Sequence, residues 1–228
     1  METPNNPAKP ARWSGLATRV VGILPLLAVA IVCLISGGWL FYAFIMTAGI
    51  IMLREWDALT RVQSNLLKVI GYPVVIIPCA SILWLSTATH PSIPNYGFKL
   101  LLTLIVIVAA TDIGAYFTGK RFGKHKLAPV ISPNKTWEGL SGGVFCAMAA
   151  ACIMIPFALP VYSMLITGLV LAVLAQTGDL FESGIKRKAG VKDSGTLIPG
   201  HGGLLDRFDG YLLTAPAFAL LVYSYSGV

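Results

Sequence analysis

Apolar residues dominate this chain in seven stretches of about twenty positions, at approximately 16–36, 38–54, 66–87, 98–118, 138–157, 160–179 and 207–226. A helix needs about 20 mostly apolar residues to cross the hydrocarbon core of a bilayer, so each stretch predicts one spanning helix. A closed β-barrel is the only other spanning solution, and its strands alternate apolar and polar positions. Leu100 to Ala110 is continuously apolar instead. The predicted fold class is therefore all-α, a polytopic transmembrane bundle of about seven helices. A polar cytoplasmic tail over 1–15 would precede an uncleaved first helix, and 16–228 would form one transmembrane domain.

Composition agrees, and charge adds an orientation. Of the 228 residues 56% are hydrophobic and 12% charged, about half the charge usual for a soluble domain. With the N-terminus inside and one crossing per stretch, all of the 17 Lys and Arg except Lys99 fall on inner segments or helix ends. The net charge of +7 then reflects topology and an anionic substrate rather than nucleic acid, for which no basic stripe interleaved with aromatics is present. The four cysteines, Cys33, Cys79, Cys146 and Cys152, lie in apolar stretches without metal-ligand spacing and read as small hydrophobes. No GxxxxGK[ST], GxGxxG or GxSxG occurs, which removes P-loop, Rossmann and nucleophile-elbow chemistry.

The polar residues that topology alone does not require lie in two inner loops, 119–137 and 180–206, and at the helix ends beside them. Ser183 to Asp209 holds the cations Lys186, Arg187, Lys188 and Lys192, a glycine segment around His201, and the carboxylates Asp193, Asp206 and Asp209. Cations for phosphates and carboxylates for a metal suggest a nucleotide site. Asp206 and Asp209, three apart at the start of the last apolar stretch, would share a helix face and converge on one ion. Asp206 alone also reads as a helix cap. Upstream, Asp179, Glu182 and Lys186 fall on one face of the sixth helix; Glu182 can pair with Lys186, whereas Asp179 has no such partner at i+4. Asp112 is a further intramembrane carboxylate, open either to a site role or to a hydrogen bond within the bundle. The loop after it combines glycines with Lys120, Arg121, Lys124 and Lys126 and leads into Ser132, Lys135 and Glu138. A transporter with a basic inner vestibule is the rival from another class.

The pattern Ser183-x-x-Lys-Arg-x-x-x-x-Lys192-Asp193-x-Gly195-x-x-Ile198-Pro199-x-His201-Gly-Gly-x-x-Asp206-Arg-x-Asp209 resembles, position by position, the defining motif of the phosphatidate cytidylyltransferase family. Gly178-Asp179-Leu-x-Glu-Ser and Ser132-Pro-x-Lys-Thr-x-Glu-Gly139 look like that family's other blocks, so the resemblance covers 112–209 and the helix beyond it. It implies a membrane enzyme that makes CDP-diacylglycerol and pyrophosphate from CTP and phosphatidate with Mg²⁺, its site on the cytoplasmic face of the cell (inner) membrane. A monovalent cation such as K⁺ and a homodimer are both compatible with the family. The expected metal ligands are Asp179, Asp206 and Asp209, with Lys192 joining them as a catalytic group. Ser132, Lys135, Lys186, Arg187, His201, Arg207, Asp112, Glu138, Glu182 and Asp193 are the expected substrate-binding residues. A CTP-using lipid kinase, or transfer to another lipid phosphate, would keep the metal and change the lipid cleft.

Overall fold

The computed structural model describes residues 12–61, 63, 65–154, 161–198 and 202–226. Among them the chain forms α1 (Arg12–Ser36), α2 (Gly38–Thr60), α3 (Asn65–Thr87), α4 (Tyr96–Phe122), β1 (Lys126–Ala128), β2 (Ser132–Thr136), α5 (Trp137–Met154), α6 (Val161–Lys188), α7 (Leu205–Phe208) and α8 (Tyr211–Ser226). Each predicted apolar stretch has its helix. Five, α2 to α6, are long and apolar enough to cross a membrane; Gly22–Ser36 and Tyr211–Tyr225 are shorter apolar helices. The predicted tail falls largely on residues outside those described, and α1 already begins at Arg12.

Long helices overrun the predicted stretches at one end of the bundle. Helix α6 has 28 residues, roughly 42 Å at 1.5 Å per residue, against a hydrocarbon core of about 30 Å. The excess length falls where the charges do, in the last turns from Asp179 to Lys188. The hydrophobic pattern stops where the charges begin, but helix geometry continues because backbone hydrogen bonding does not depend on side-chain polarity.

Helices α4 and α5 pack closely through small residues, as membrane helices do when lipid supplies no hydrophobic drive between them. A Cβ on Gly142 would lie 2.0 Å from Thr118 Oγ1, and one on Gly143 would lie 2.7 Å from the Thr111 carbonyl oxygen. The interior is filled by Trp56, Leu85, Leu100, Leu104, Ile107 and Leu171, all fully buried. Trp39, Phe145, Ile153 and Leu220 stay exposed, as suits a lipid-facing surface.

Two features depart from the sequence reading. The 119–137 loop contains an antiparallel ribbon, pairing Lys126 with Thr136 and Ala128 with Ser132 around an irregularity. Its turn closes through Ile131 N donating to the Ala128 carbonyl oxygen at 3.2 Å. The seventh stretch is interrupted: one helical turn, α7, carries Asp206, and α8 begins only after Asp209 and Gly210.

Candidate functional site

Helices α4 and α6 and strand β2 enclose a cleft of about 240 Å³ at the end of the bundle where the long helices project. Asp112, Tyr116, Asn134, Lys135, Gln176 and Asp179 lie on its wall. Asp112 Oδ1 accepts from Gln176 Nε2 at 3.4 Å. Lys135 Nζ lies 2.6 Å from Asp179 Oδ2, while Asp179 Oδ1 accepts from Ser183 Oγ at 3.2 Å. The Lys135 ammonium is shielded from solvent and makes no further well-aligned hydrogen bond among the described residues. An ammonium has three N–H donors, so Lys135 can receive additional oxygen atoms in the cleft. The ribbon carries it there, and Glu138 fixes the ribbon's base by accepting from Lys124 N and His125 N at 3.2 and 3.3 Å and meeting His125 Nδ1 at 2.6 Å.

Two turns further along α6, a buried ionic cluster replaces the open cleft. Lys186 Nζ lies 2.5 Å from Asp206 Oδ1 and 3.2 Å from Glu182 Oε2. Asp206 Oδ2 also accepts from Ser194 N at 2.8 Å, Ser194 Oγ at 2.9 Å and Gly203 N at 2.8 Å. Burial pushes the Asp206 pKa up, but the Lys186 hydrogen bond, the two backbone N–H groups and the Lys186 charge outweigh it and hold the group below the usual carboxylate range. Glu182 is fully buried, and neither of its oxygens receives a hydrogen bond among the described residues. Among the described residues its ionic partner is Lys186.

Asp209 stands between the two groups. Its Oδ1 accepts from Gly210 N at 2.7 Å. Burial, and next the charge of Asp179, push its pKa up to about 7, with Lys186 and the Gly210 N–H opposing and Asp112 reinforcing the rise. Asp112, Asp179 and Asp209 thus crowd negative charge at one place.

Among the described residues no three His, Cys, Asp or Glu side chains form a complete metal cage. A Mg²⁺ site does not need one, because one or two carboxylates with phosphate oxygens and water suffice. Asp179 and Asp209 fit that pattern. Asp206 is differently engaged, with four protein donors on its two oxygens, whereas Asp209 Oδ1 accepts from Gly210 N.

The other expected residues divide by position. Ser132 is half-buried on β2 next to the cleft wall. Arg187 is exposed and crosses to the ribbon, where its Nε donates to the Ile131 carbonyl oxygen at 3.3 Å. Lys192, Asp193 and Arg207 are exposed. His201 lies outside the described residues.

Glu55 on α2 was missed by the sequence reading. It is buried, and it accepts from Leu204 N at 2.9 Å, Leu205 N at 2.7 Å and Ser194 Oγ at 3.1 Å. The one available signal was a glutamate near the end of an apolar stretch, with Arg54 beside it to suggest an ordinary solvated helix end.

Against known proteins, a family model described as the cytidylyltransferase family matches residues 66–225. Curated relatives include the phosphatidate cytidylyltransferase of Staphylococcus haemolyticus (strain JCSC1435), 46% identical over 129 residues, which are 55% of this chain and 50% of that protein. The phosphatidate cytidylyltransferase of Staphylococcus aureus (strain COL) is 49% identical over 129 residues with the same two coverages. The chain matches about half the length of these curated relatives.

Proposed function

The chain belongs to the cytidylyltransferase family, and from that premise we propose that it transfers the cytidylyl group of CTP to phosphatidate, giving CDP-diacylglycerol and pyrophosphate. The relatives' names supply the substrates of the proposal. The observation that carries it is the cleft in which Lys135 faces Asp179 beside Asp112, at the bundle end that also holds the motif loop.

A phosphatidate phosphate oxygen attacks the α-phosphorus of CTP. One P–O bond forms there, the bond from the α-phosphorus to the bridging oxygen of the β-phosphate breaks, and pyrophosphate leaves with that electron pair. Such transfers depend on positioning and charge stabilisation and require no protein nucleophile. Lys135 binds a phosphate oxygen through the donors that Asp179 leaves open. The exposed Arg187, Lys192 and Arg207 give this end of the bundle positive charge that would draw both anionic substrates to it. Ser132 contributes a hydroxyl to the same wall. Asp179 and Asp209 would hold Mg²⁺, which supplies Lewis-acid neutralisation of phosphate charge when bound. Asp206, with Lys186 on Oδ1 and three loop donors on Oδ2, shapes the loop together with Lys186 and Glu182.

Lys and Arg placement supports a position for this end on the cytoplasmic face of the cell membrane. CTP would arrive from water, and phosphatidate from the leaflet with its acyl chains still in lipid.

The test is transfer of α-³²P from CTP into lipid by the purified chain with phosphatidate and Mg²⁺. Label in a chloroform-soluble product supports the reading. Label entering lipid from γ-³²P instead would make the chain a lipid kinase, and absence of both would overturn the reaction.

A further inference from the structure

Three consecutive backbone N–H groups, those of Gly203, Leu204 and Leu205, end on carboxylates. Gly203 N donates to Asp206 at 2.8 Å, whereas Leu204 N and Leu205 N donate to the two oxygens of Glu55 at 2.9 and 2.7 Å. The turn that presents Asp206 and Asp209 is therefore clamped from both sides, by its own aspartate and by a glutamate 150 positions earlier in the chain. Ser194 links the clamps, with its Oγ 3.1 Å from Glu55 Oε2 and 2.9 Å from Asp206 Oδ2. A hydroxyl has one hydrogen to donate, so the two carboxylates compete for it and their positions become coupled. Two glycines make room for the arrangement. A Cβ on Gly195 would lie 2.9 Å from Glu55 Oε1, and one on Gly203 would lie 2.6 Å from both Glu55 oxygens.

Helix α2 lies outside the region that the family model matches, residues 66–225. We infer that Glu55 of α2 is a positioning residue for the transfer reaction: by anchoring the Gly203–Leu205 turn and Ser194, it sets where Asp206 and Asp209 stand relative to the cleft on α4 and α6. The inference rests on the reaction proposed above. Glu55 does not line the cleft itself. It acts through the backbone, and hydrogen bonds from N–H groups to an ionised acceptor are roughly twice as strong as neutral ones.

Displacing a reacting constellation by about 1 Å costs on the order of 100-fold in rate. Glu55→Ala should therefore lower kcat at least about tenfold per folded molecule, with less than about a threefold change in KM for CTP. Glu55→Gln retains one acceptor oxygen and should recover part of the loss. A residue needed only for folding would reduce the yield of monodisperse protein and leave kcat of the folded fraction untouched. A second readout is independent of turnover. Lys188 is exposed where α6 ends and the loop to Ser194 begins. Tryptic cleavage after it should be faster in both variants than in the wild type, because the loop has lost its anchor. Should Glu55→Ala fail to fold, Glu55→Gln carries both measurements. Wild-type kcat and wild-type cleavage in the variants would overturn the inference. Wild-type protein that transfers no label would overturn the proposed reaction instead, and unchanged cleavage would then remove the anchoring role as well.

Discussion

Replacing Lys186 with Met, which has a similar length and no charge, should be among the most destabilising single changes in the protein. The ammonium is the ionic partner of two buried carboxylates, Asp206 at 2.5 Å and Glu182 at 3.2 Å. Their losses would be unequal. Asp206 keeps Ser194 N, Ser194 Oγ and Gly203 N and forfeits one charge-assisted bond, about 1.5–3 kcal/mol. Glu182 has no hydrogen bond on either oxygen among the described residues and is 0% exposed, so it would become an uncompensated buried group. Removing one partner of such a pair costs about 3–5 kcal/mol in total. Changing Glu182 to Gln in the same chain should then restore about 1–2 kcal/mol, because the residual cost belongs to Asp206 alone. The assay is reversible unfolding in mixed micelles for the wild type, Lys186→Met, Glu182→Gln and the double variant. Coupling above about 1 kcal/mol is the expected result. A cycle that adds to within about 0.5 kcal/mol would refute the reasoning, since independent sites add to that precision.

The two aspartates at α6 and α7 should separate by signature. Asp179→Asn gives up an ion pair at a partly exposed site but relieves repulsion with Asp112 and Asp209, so stability should change by less than about 1 kcal/mol while transfer is lost. Asp206→Asn turns an amide NH₂ toward Lys186 or toward the loop donors and should cost about 1–3 kcal/mol as well as activity, read from unfolding and label transfer on the same preparations. Gly203→Ala places a Cβ 2.2 Å from Ser194 Oγ, which should destabilise by about 1–3 kcal/mol and abolish transfer in the same assays. Gly142→Ala forces α4 from α5 at Thr118 and should lower the unfolding midpoint by a similar free energy; an unchanged midpoint would contradict the close packing of that pair.

The fold was legible because lipid makes hydrophobic length a nearly sufficient signal: each predicted apolar stretch has a helix. What it could not give were the ends. Helix α6 continues nine residues past the predicted 179, through Glu182, Lys186 and Lys188, because those side chains pair with one another or reach the boundary and no longer need apolar neighbours. The ribbon was also invisible. Its strand β2 reads Ser-Pro-Asn-Lys-Thr, without alternation or β-branched enrichment until Thr136, and it is held by Glu138 and His125 rather than by its own pattern.

For the site, spacing along one helix was informative and contacts between distant parts of the chain were not legible. Asp179, Glu182 and Lys186 do lie on successive turns of α6, so the i, i+3 and i+4 argument placed them correctly relative to one another. Asp206 and Asp209 are likewise one helical turn apart, in α7 and at its C-cap, and the interruption of the seventh stretch comes only after Asp209. Glu55 lay beyond such reasoning, because its partners are backbone N–H groups 149 and 150 residues away. Backbone donors carry no side-chain signature, so nothing near Leu204 announces that a carboxylate is needed. The physical demand is nevertheless firm: the turn before Asp206 is buried, and buried N–H groups without a partner cost about 1–3 kcal/mol each. A glycine-rich loop folded into such a place requires an acceptor from elsewhere in the chain, and Gly203 is small enough to let α2 deliver one.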